Sequence, residues 1–92
     1  MVGYILTTGK SRDIGYTDEG IKEARLLAKA YVKDRSNDTS VVYIYESHRY
    51  SRTLIGLVRE GDRRDTFTFA EYGGKEKYLK KDGSTGKIVR WR

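Results

Sequence analysis

The sequence predicts an α+β fold in which a single amphipathic helix packs on one face of an antiparallel sheet. One segment has helical periodicity, and the other regular segments are short, rich in β-branched and aromatic residues, and joined by brief polar links. Brief links are the connections that antiparallel strands use. A chain of 92 residues cannot divide its apolar side chains between two cores, so we expect one domain, residues 1–92.

The N-terminal part predicts a strand, a polar connection and then the helix. Val2–Thr8 is rich in strand-forming residues, and the polar segment Gly9–Tyr16 contains two glycines. Thr17 is suited to cap a helix that runs from Asp18 to about Arg35. At about 100° per residue, the apolar positions fall on one side of this helix. They are Ile21, Ala24, Leu27, Ala28, Tyr31 and Val32.

Four basic residues of the helix, Lys22, Arg25, Lys29 and Lys33, project beside the apolar stripe. Like charges four residues apart repel weakly, and such a ridge can mark a surface that faces phosphates. A solvated helix face is the more common arrangement, and it is the one we expect here.

Five strands are predicted after the helix. The first three are Ser40–Glu46, Thr53–Arg59 and Asp65–Tyr72. The last two, Lys77–Lys81 and Lys87–Trp91, flank a turn that contains two glycines. The predicted order is therefore β-α-β-β-β, followed by a candidate C-terminal hairpin.

A single helix covers one face of a sheet, so the other face is expected to stay open or to meet a partner. In the strand after the helix, Val42 and Ile44 share one face while Tyr43 and Tyr45 share the other. If the aliphatic pair meets the helix, the two tyrosines stand on the open face as candidate partner-binding residues. Simple cross-strand packing of these rings is the alternative.

The net charge of +6 comes entirely from the C-terminal half of the chain. Residues 1–46 hold seven basic and seven acidic residues, whereas residues 47–92 hold twelve basic and six acidic ones. Positive charge confined to one region favours an acidic partner, with nucleic acid as the first candidate. A basic tail that serves solubility alone is the alternative.

Arginine and lysine in this half alternate with aromatic residues, a composition typical of nucleic-acid contacts. The candidate nucleic-acid-binding residues are Arg49, Tyr50, Arg52, Arg63, Arg64, Lys77, Lys80, Lys81, Arg90, Trp91 and Arg92. Alternate loops of an antiparallel meander lie at opposite ends of the sheet, so these residues need not form one surface. Trp91 is also a candidate for the last residue of the core.

The composition predicts no cofactor and no metal, and favours a non-enzymatic role. Cysteine is absent, so disulfides and thiolate metal sites are excluded. His48 is the only histidine, and no paired carboxylates or catalytic triad accompany it. No apolar run approaches the roughly 20 residues of a membrane span, and no signal peptide is evident, so we expect a cytoplasmic protein without a membrane partner.

Three hypotheses follow from these observations. The first is a small nucleic-acid-binding accessory module that uses the basic half of the chain. The second is a protein-binding or regulatory factor that docks through the open sheet face or an edge strand, dimerisation included. The third is a small hydrolase that uses His48 as a general base.

Overall fold

The computed structural model describes residues 2–8 and 12–91, and for residue 91 the backbone only. Within this part of the chain, one helix packs against one face of a seven-stranded antiparallel sheet, so the predicted fold class is confirmed. The strands lie side by side in the order β2-β1-β3-β4-β5-β6-β7. The strands are β1 (Gly3–Thr8), β2 (Asp13–Thr17), β3 (Val41–Ser47), β4 (Arg52–Glu60), β5 (Phe67–Glu71), β6 (Lys75–Leu79) and β7 (Thr85–Trp91). The helix α1 spans Ile21–Lys33, and a short 3-10 turn, Arg35–Asn37, follows it.

Strand β2 lies within the segment that the sequence predicted to be a polar connection. It pairs with β1 alone and forms one edge of the sheet, with an irregularity in register between Leu6 and Thr7. Most of its residues are exposed, so it lacks the clear alternation of buried and exposed residues that identifies a strand. Ile14 nevertheless packs against the core.

The helix begins later than predicted, at Ile21, and Thr17 is not its cap. Thr17 is the buried last residue of β2, where it pairs with Tyr4. Its hydroxyl accepts a hydrogen bond from the Glu19 backbone N–H at 3.1 Å, which shapes the turn before the helix. Gly20 precedes the helix at φ 105°, a backbone conformation that favours glycine, and no side chain caps the first turn. Thr17, which the local sequence predicted to be the helix cap, is therefore part of the strand pairing between β1 and β2 instead.

The core lies between α1 and the central strands. Ala24 and Ala28 are completely buried on the helix, and Val42, Ile44 and Val58 are completely buried beneath them. Because alanine is small, the helix backbone approaches the sheet closely at these two positions. Further buried core residues are Leu6, Val32, Phe67, Phe69 and Leu79.

Two basic residues that were expected on a solvated helix face turn towards the sheet instead. The guanidinium of Arg25 lies 4.6 Å from the centre of the Phe69 ring and donates a hydrogen bond to the Gly83 carbonyl at 3.1 Å. The ammonium of Lys29 lies 5.6 Å from the centre of the Phe67 ring. Their alkyl stems and cationic groups extend the cover of the helix over β5, and Arg25 also holds the turn between β6 and β7.

Gly56 on β4 provides the space that Phe69 of β5 occupies. It pairs with Ile44 on one side and Glu71 on the other, next to an irregularity in the β3–β4 register. A Cβ atom at this position would come within 2.6 Å of both the Phe69 ring and the Ala70 carbonyl oxygen. Since backbone cannot move aside easily in the middle of a sheet, this close approach requires glycine.

We expect Gly56→Ala to lower the free energy of unfolding by about 1–3 kcal/mol, because the added methyl group overpacks the contact with Phe69. Gly15→Ala is the matched control, since a Cβ there would meet its nearest neighbour, Leu6, at 3.9 Å. Urea unfolding followed by circular dichroism measures both variants. Equal stability of the two would contradict the packing role of Gly56.

Candidate binding surface on the open sheet face

The sheet face opposite α1, here called the open face, carries a group of tyrosine and aliphatic side chains. Val42 and Ile44 point to the helix, so the pleat places Tyr43 and Tyr45 on the open face, as the alternation predicted. Strand pairing sets further apolar or aromatic residues on the same face. They are Ile5, Tyr16, Val41, Leu54, Leu57 and Tyr78.

These side chains cover the sheet surface without a second layer of secondary structure. Thr7, Thr68 and Ala70 all lie on the open face, and all three are buried. Tyr43 and Tyr45 are themselves half-buried, which agrees with cross-strand packing of their rings. A half-buried ring still presents part of its surface outward, so packing and binding are compatible uses of these tyrosines.

Arg52 and Asp13 form an ion pair across the open face. The Arg52 Nη1 and Nη2 atoms lie 2.9 and 3.3 Å from the two carboxylate oxygens of Asp13. The pair joins β4 to β2 over the two strands between them, and the guanidinium lies 5.7 Å from the centre of the Tyr45 ring. The hydrogen bond from Arg52 lowers the pKa of Asp13. The charge of Arg52, a predicted nucleic-acid contact, is therefore balanced within the protein.

A second arginine–carboxylate pair lies on the same face and is largely buried. Glu76 on β6 is only 3% exposed and accepts hydrogen bonds from Arg59 Nε at 3.0 Å and Nη2 at 2.7 Å. The Thr68 hydroxyl donates to the same carboxylate at 2.7 Å. Arg59 lowers the pKa of Glu76 most, and Thr68 and the positive charge of Arg90 lower it further. This network, which we call the Glu76 network, links β4, β5 and β6.

The described open face carries a net positive charge, because each of its carboxylates is paired with an arginine and further basic residues remain. Asp13 and Glu76 are the acidic residues that strand pairing places there, and each is matched by an arginine. Arg90, which pairs with Glu76 in the β6–β7 register, and Lys87 on the exposed edge strand β7 add positive charge. Neither Asp13 nor Glu76 therefore presents an unbalanced carboxylate that would repel a phosphate.

The other predicted nucleic-acid-binding residues do not form one surface. Arg49 and Tyr50 lie in the β3–β4 turn, with the guanidinium 5.3 Å from the ring centre. The connections that follow β4 and β6 carry Arg63 with Arg64 and Lys80 with Lys81, and both lie at the opposite end of the strands. Lys77 lies on the helix side, 3.8 Å from Glu71. The Trp91 side chain and Arg92 lie outside the described residues.

Tyr16, Tyr78, Leu54 and Leu57 belong to the open face, although the sequence did not single them out. Tyr16 fell in the predicted polar connection, yet its ring lies over Gly3, whose lack of a side chain leaves room for it. Residues two apart in a strand share a face, so alternation within the predicted strand Thr53–Arg59 could have placed Leu57 on the same face as Arg59. No local pattern indicated that Tyr16 would reach this face.

Two cavities adjoin the open face, and Tyr43 lines both of them. The first has a volume of about 310 Å³ and is largely apolar, with Tyr43, Leu54, Leu57 and Ala70 among its lining residues. The second, of about 470 Å³, lies where β1 ends and β3 begins, and most of its other lining residues are polar. Tyr43 therefore borders both cavities.

His48 lies near polar groups but outside this surface. Its Nε2 atom lies 3.2 Å from Glu46 Oε1 and 3.1 Å from the Thr53 hydroxyl. Among residues 2–8 and 12–91, no three His, Asp or Glu side chains group closely enough to hold a metal ion. The same residues contain no helix long and apolar enough to cross a membrane.

Comparison of the chain with models of protein families, with curated protein sequences and with solved structures finds no match. Functional inference therefore depends on the geometry and charge of the surface itself.

We expect Glu76→Gln to lower the free energy of unfolding at pH 7 by about 2–3 kcal/mol, because it leaves Arg59 without its carboxylate. The value lies below that of fully buried pairs because the Arg59 side chain is 31% exposed. The exposed pair offers a matched control, since Asp13→Asn should change the stability much less. Urea unfolding at pH 7 compares the three proteins, and a wild-type-like Glu76→Gln variant would contradict the structural role of the network.

The same network predicts a pH dependence. The folded-state pKa of Glu76 is lowered below its unfolded value of about 4.3, so its stabilising contribution is complete above that value and is lost as the pH falls through the folded-state pKa. Wild-type stability should therefore fall below about pH 4, and it should fall less steeply in Glu76→Gln. Denaturation midpoints measured from pH 7 to pH 2.5 test this, and parallel curves would contradict it.

Proposed function

We propose that this protein is a non-enzymatic binding module that binds single-stranded nucleic acid on its open sheet face. The observation that carries the proposal is a tyrosine-bearing sheet face that no helix covers and on which each described carboxylate is balanced by arginine. Small secreted domains usually carry disulfides and this chain has no cysteine, so the location that we propose is the cytoplasm.

The tyrosines supply the stacking part of this interaction. Open antiparallel sheets with a helix behind them are suited to splayed bases, because each aromatic ring offers a flat surface at the height of the strands. Tyr16 is 59% exposed on β2, while Tyr43 and Tyr45 lie half-buried on β3. Bases in a duplex are stacked on one another and cannot reach these rings, so the proposal specifies a single strand.

The charge distribution supplies the electrostatic part. With Asp13 and Glu76 balanced, the net positive charge of the chain is not opposed at this face. Lys87 and Arg90 on β7 are exposed and lie beside it. Tyr78 on β6 adjoins these cations, whereas Tyr43 lies four strands away, so the bound strand would extend across the sheet from the tyrosines to β7. Its phosphates would release counterions where they meet Lys87 and Arg90.

We expect a labelled oligothymidine to bind more tightly than a duplex of the same length, in a salt-dependent way. If about five phosphates are neutralised, the log–log slope of affinity against salt should be near −3.5 for a single strand. Fluorescence anisotropy at several salt concentrations measures both quantities. A slope near zero, or a preference for the duplex, would falsify this proposal.

Tyr43→Leu should weaken single-strand binding by about tenfold or more, because it removes a stacking ring and keeps an apolar side chain for packing. Tyr50→Leu is the matched control: Tyr50 is 89% exposed but lies in the β3–β4 turn, away from the open face. Equal losses in the two variants would count against stacking at Tyr43. Circular dichroism of each variant confirms that the fold is kept.

The cations are tested by a second matched pair of variants. Replacing Lys87 and Arg90 with glutamine should weaken oligothymidine binding and make the salt slope shallower by about 1–2 units. Replacing Arg63 and Arg64 with glutamine removes the same charge from the β4–β5 loop and should have a smaller effect. If the two double variants lose the same affinity for oligothymidine, binding depends on the net charge of the protein and not on the position of the cations, which would contradict a site on the open face.

Docking of a protein partner on the open face is the second candidate function. The apolar cavity beside Tyr43, with Leu54 and Leu57 in its wall, favours it. Among the described strands β7 pairs with β6 alone, and its other edge, where Ile88 is 43% exposed, is a second place for a partner to dock. Such a contact would be insensitive to salt and would be weakened by Tyr43→Leu. Failure of oligonucleotide binding at low salt would make this candidate the leading one.

A further inference from the structure

The larger of the two cavities beside Tyr43, here called the polar cavity, is lined mostly by polar residues, and its two charged residues, Arg12 and Asp38, are exposed to solvent. It has a volume of about 470 Å³, within the range of cavities that hold small ligands. Two tyrosines, one basic residue, one acidic residue and several uncharged polar residues line it. They are Tyr31, Tyr43, Arg12, Asp38, Asn37, Thr8, Thr39 and Ser40, together with Val41.

Local hydrogen bonds hold one wall of the polar cavity in place. The Asn37 side-chain amide donates to the Tyr31 carbonyl at 3.0 Å, and the Thr39 hydroxyl donates to the Asn37 carbonyl at 3.2 Å. The Asp38 backbone N–H donates to the Arg35 carbonyl at 3.2 Å, which fixes Asp38 at φ 49°. Asparagine and aspartate adopt this left-handed conformation more readily than most residues. The wall is therefore set before a ligand arrives, so binding requires little ordering.

The charged side chains of the polar cavity are not used within the described structure. Neither the Asp38 carboxylate nor the Arg12 guanidinium forms a hydrogen bond or an ion pair with another residue in 2–8 and 12–91. Charged groups of opposite sign in one cavity fit a ligand that carries both a cluster of N–H donors and an anionic group. The two tyrosines add surfaces for a flat ring.

We propose that the polar cavity binds the guanine base of a nucleotide. A carboxylate accepts two parallel hydrogen bonds from neighbouring N–H donors, and guanine presents such a pair, N1–H and N2–H, on its Watson–Crick edge. Adenine presents one donor beside an acceptor, so it cannot satisfy a carboxylate in this way. Asp38 therefore recognises the base, Tyr43 or Tyr31 stacks on it, and Arg12 meets the phosphate.

This inference deepens the proposed function, because Tyr43 belongs to both the open face and the polar cavity. A strand that crosses the open face would reach the cavity at Tyr43, which would confer a preference for guanine at one position. A free guanine nucleotide carries the same chemistry, and experiment separates the two sources.

The test is a titration of the full chain with GMP, IMP and AMP, followed by NMR chemical shifts of the backbone amides. GMP should bind at least about tenfold more tightly than AMP, and IMP, which lacks the N2 amine, should fall between them. Asp38→Asn should remove the difference between GMP and AMP, because an amide offers one donor and one acceptor. Asparagine also suits the backbone at this position, so the fold is expected to persist.

Asp65→Asn is the matched control. Asp65 also has a left-handed backbone, with φ 64°, but it lies in the β4–β5 loop and does not line the polar cavity. This variant should keep the full preference for GMP. A preference for GMP that Asp38→Asn leaves intact would overturn the guanine site. Equal affinities of the wild type for GMP and AMP would exclude a free nucleotide as its ligand.

Oligonucleotides distinguish the two sources and separate this inference from the proposed function. Oligothymidine with one internal guanine should bind about tenfold more tightly than the same strand with adenine there, and Asp38→Asn should abolish the difference. If the guanine-containing strand binds more tightly than the adenine-containing one while GMP does not bind measurably, the cavity recognises guanine within a strand. If GMP binds while the strands do not, the ligand is a free nucleotide. Oligothymidine affinity tests the open face alone, and it should not fall in Asp38→Asn. Equal affinities for the guanine and adenine strands, together with no preference for GMP, overturn the proposal.

Discussion

A short helix facing a wide sheet is the constraint on which the rest of this structure depends. The 13 residues of α1 extend about 20 Å, whereas seven strands spaced about 4.8 Å apart make a sheet roughly 29 Å wide. The helix therefore cannot cover even one face completely. Arg25 and Lys29 extend its cover over the two phenylalanines of β5, and Arg25 also holds the β6–β7 turn.

Within the described part of the chain, no second layer of secondary structure covers the open face. Two arginine–carboxylate networks on this face connect its strands through side chains. The Glu76 network joins β4, β5 and β6 through side chains, and the pair between Arg52 and Asp13 joins β4 to the edge strand β2. A buried pair of this kind adds little to stability compared with apolar packing, but loss of one partner is costly. The Glu76 network and the hydrogen bond from Arg25 to the Gly83 carbonyl attach the C-terminal hairpin to the rest of the domain.

The same arrangement underlies the binding that we propose for the open face. Because its carboxylates are balanced by arginine, the face presents tyrosine rings and a modest positive charge instead of a mixture of opposite charges. Rings that are half-buried by their neighbours lose little freedom when a ligand stacks on them, so binding to such a surface requires little further ordering. In the proposed guanine site, the polar cavity at the end of this face would add a carboxylate that distinguishes one base from another.

Much of the architecture could be predicted, because it is recorded in local patterns. The amphipathic stripe of α1 and the strands of the C-terminal part were predicted to within a few residues. Alternation placed Tyr43 and Tyr45 on one face of their strand, and the structure showed that the helix covers the other face. Strand β2 and the start of the helix were not predicted correctly, because pairing with β1 overrides what residues 13–17 indicate locally.

The sequence by itself determined the fold class, the order of the elements after β2, the net positive charge and the two tyrosines that share a face. The tertiary structure alone decided which charges meet: Glu76 pairs with Arg59, Asp13 pairs with Arg52, and Arg25 turns inward to the sheet. Periodicity specifies which side of an element a residue occupies, but not which strand becomes its neighbour or in which register. Contacts between distant residues depend on strand order and register, and these are set by the packing of the whole domain.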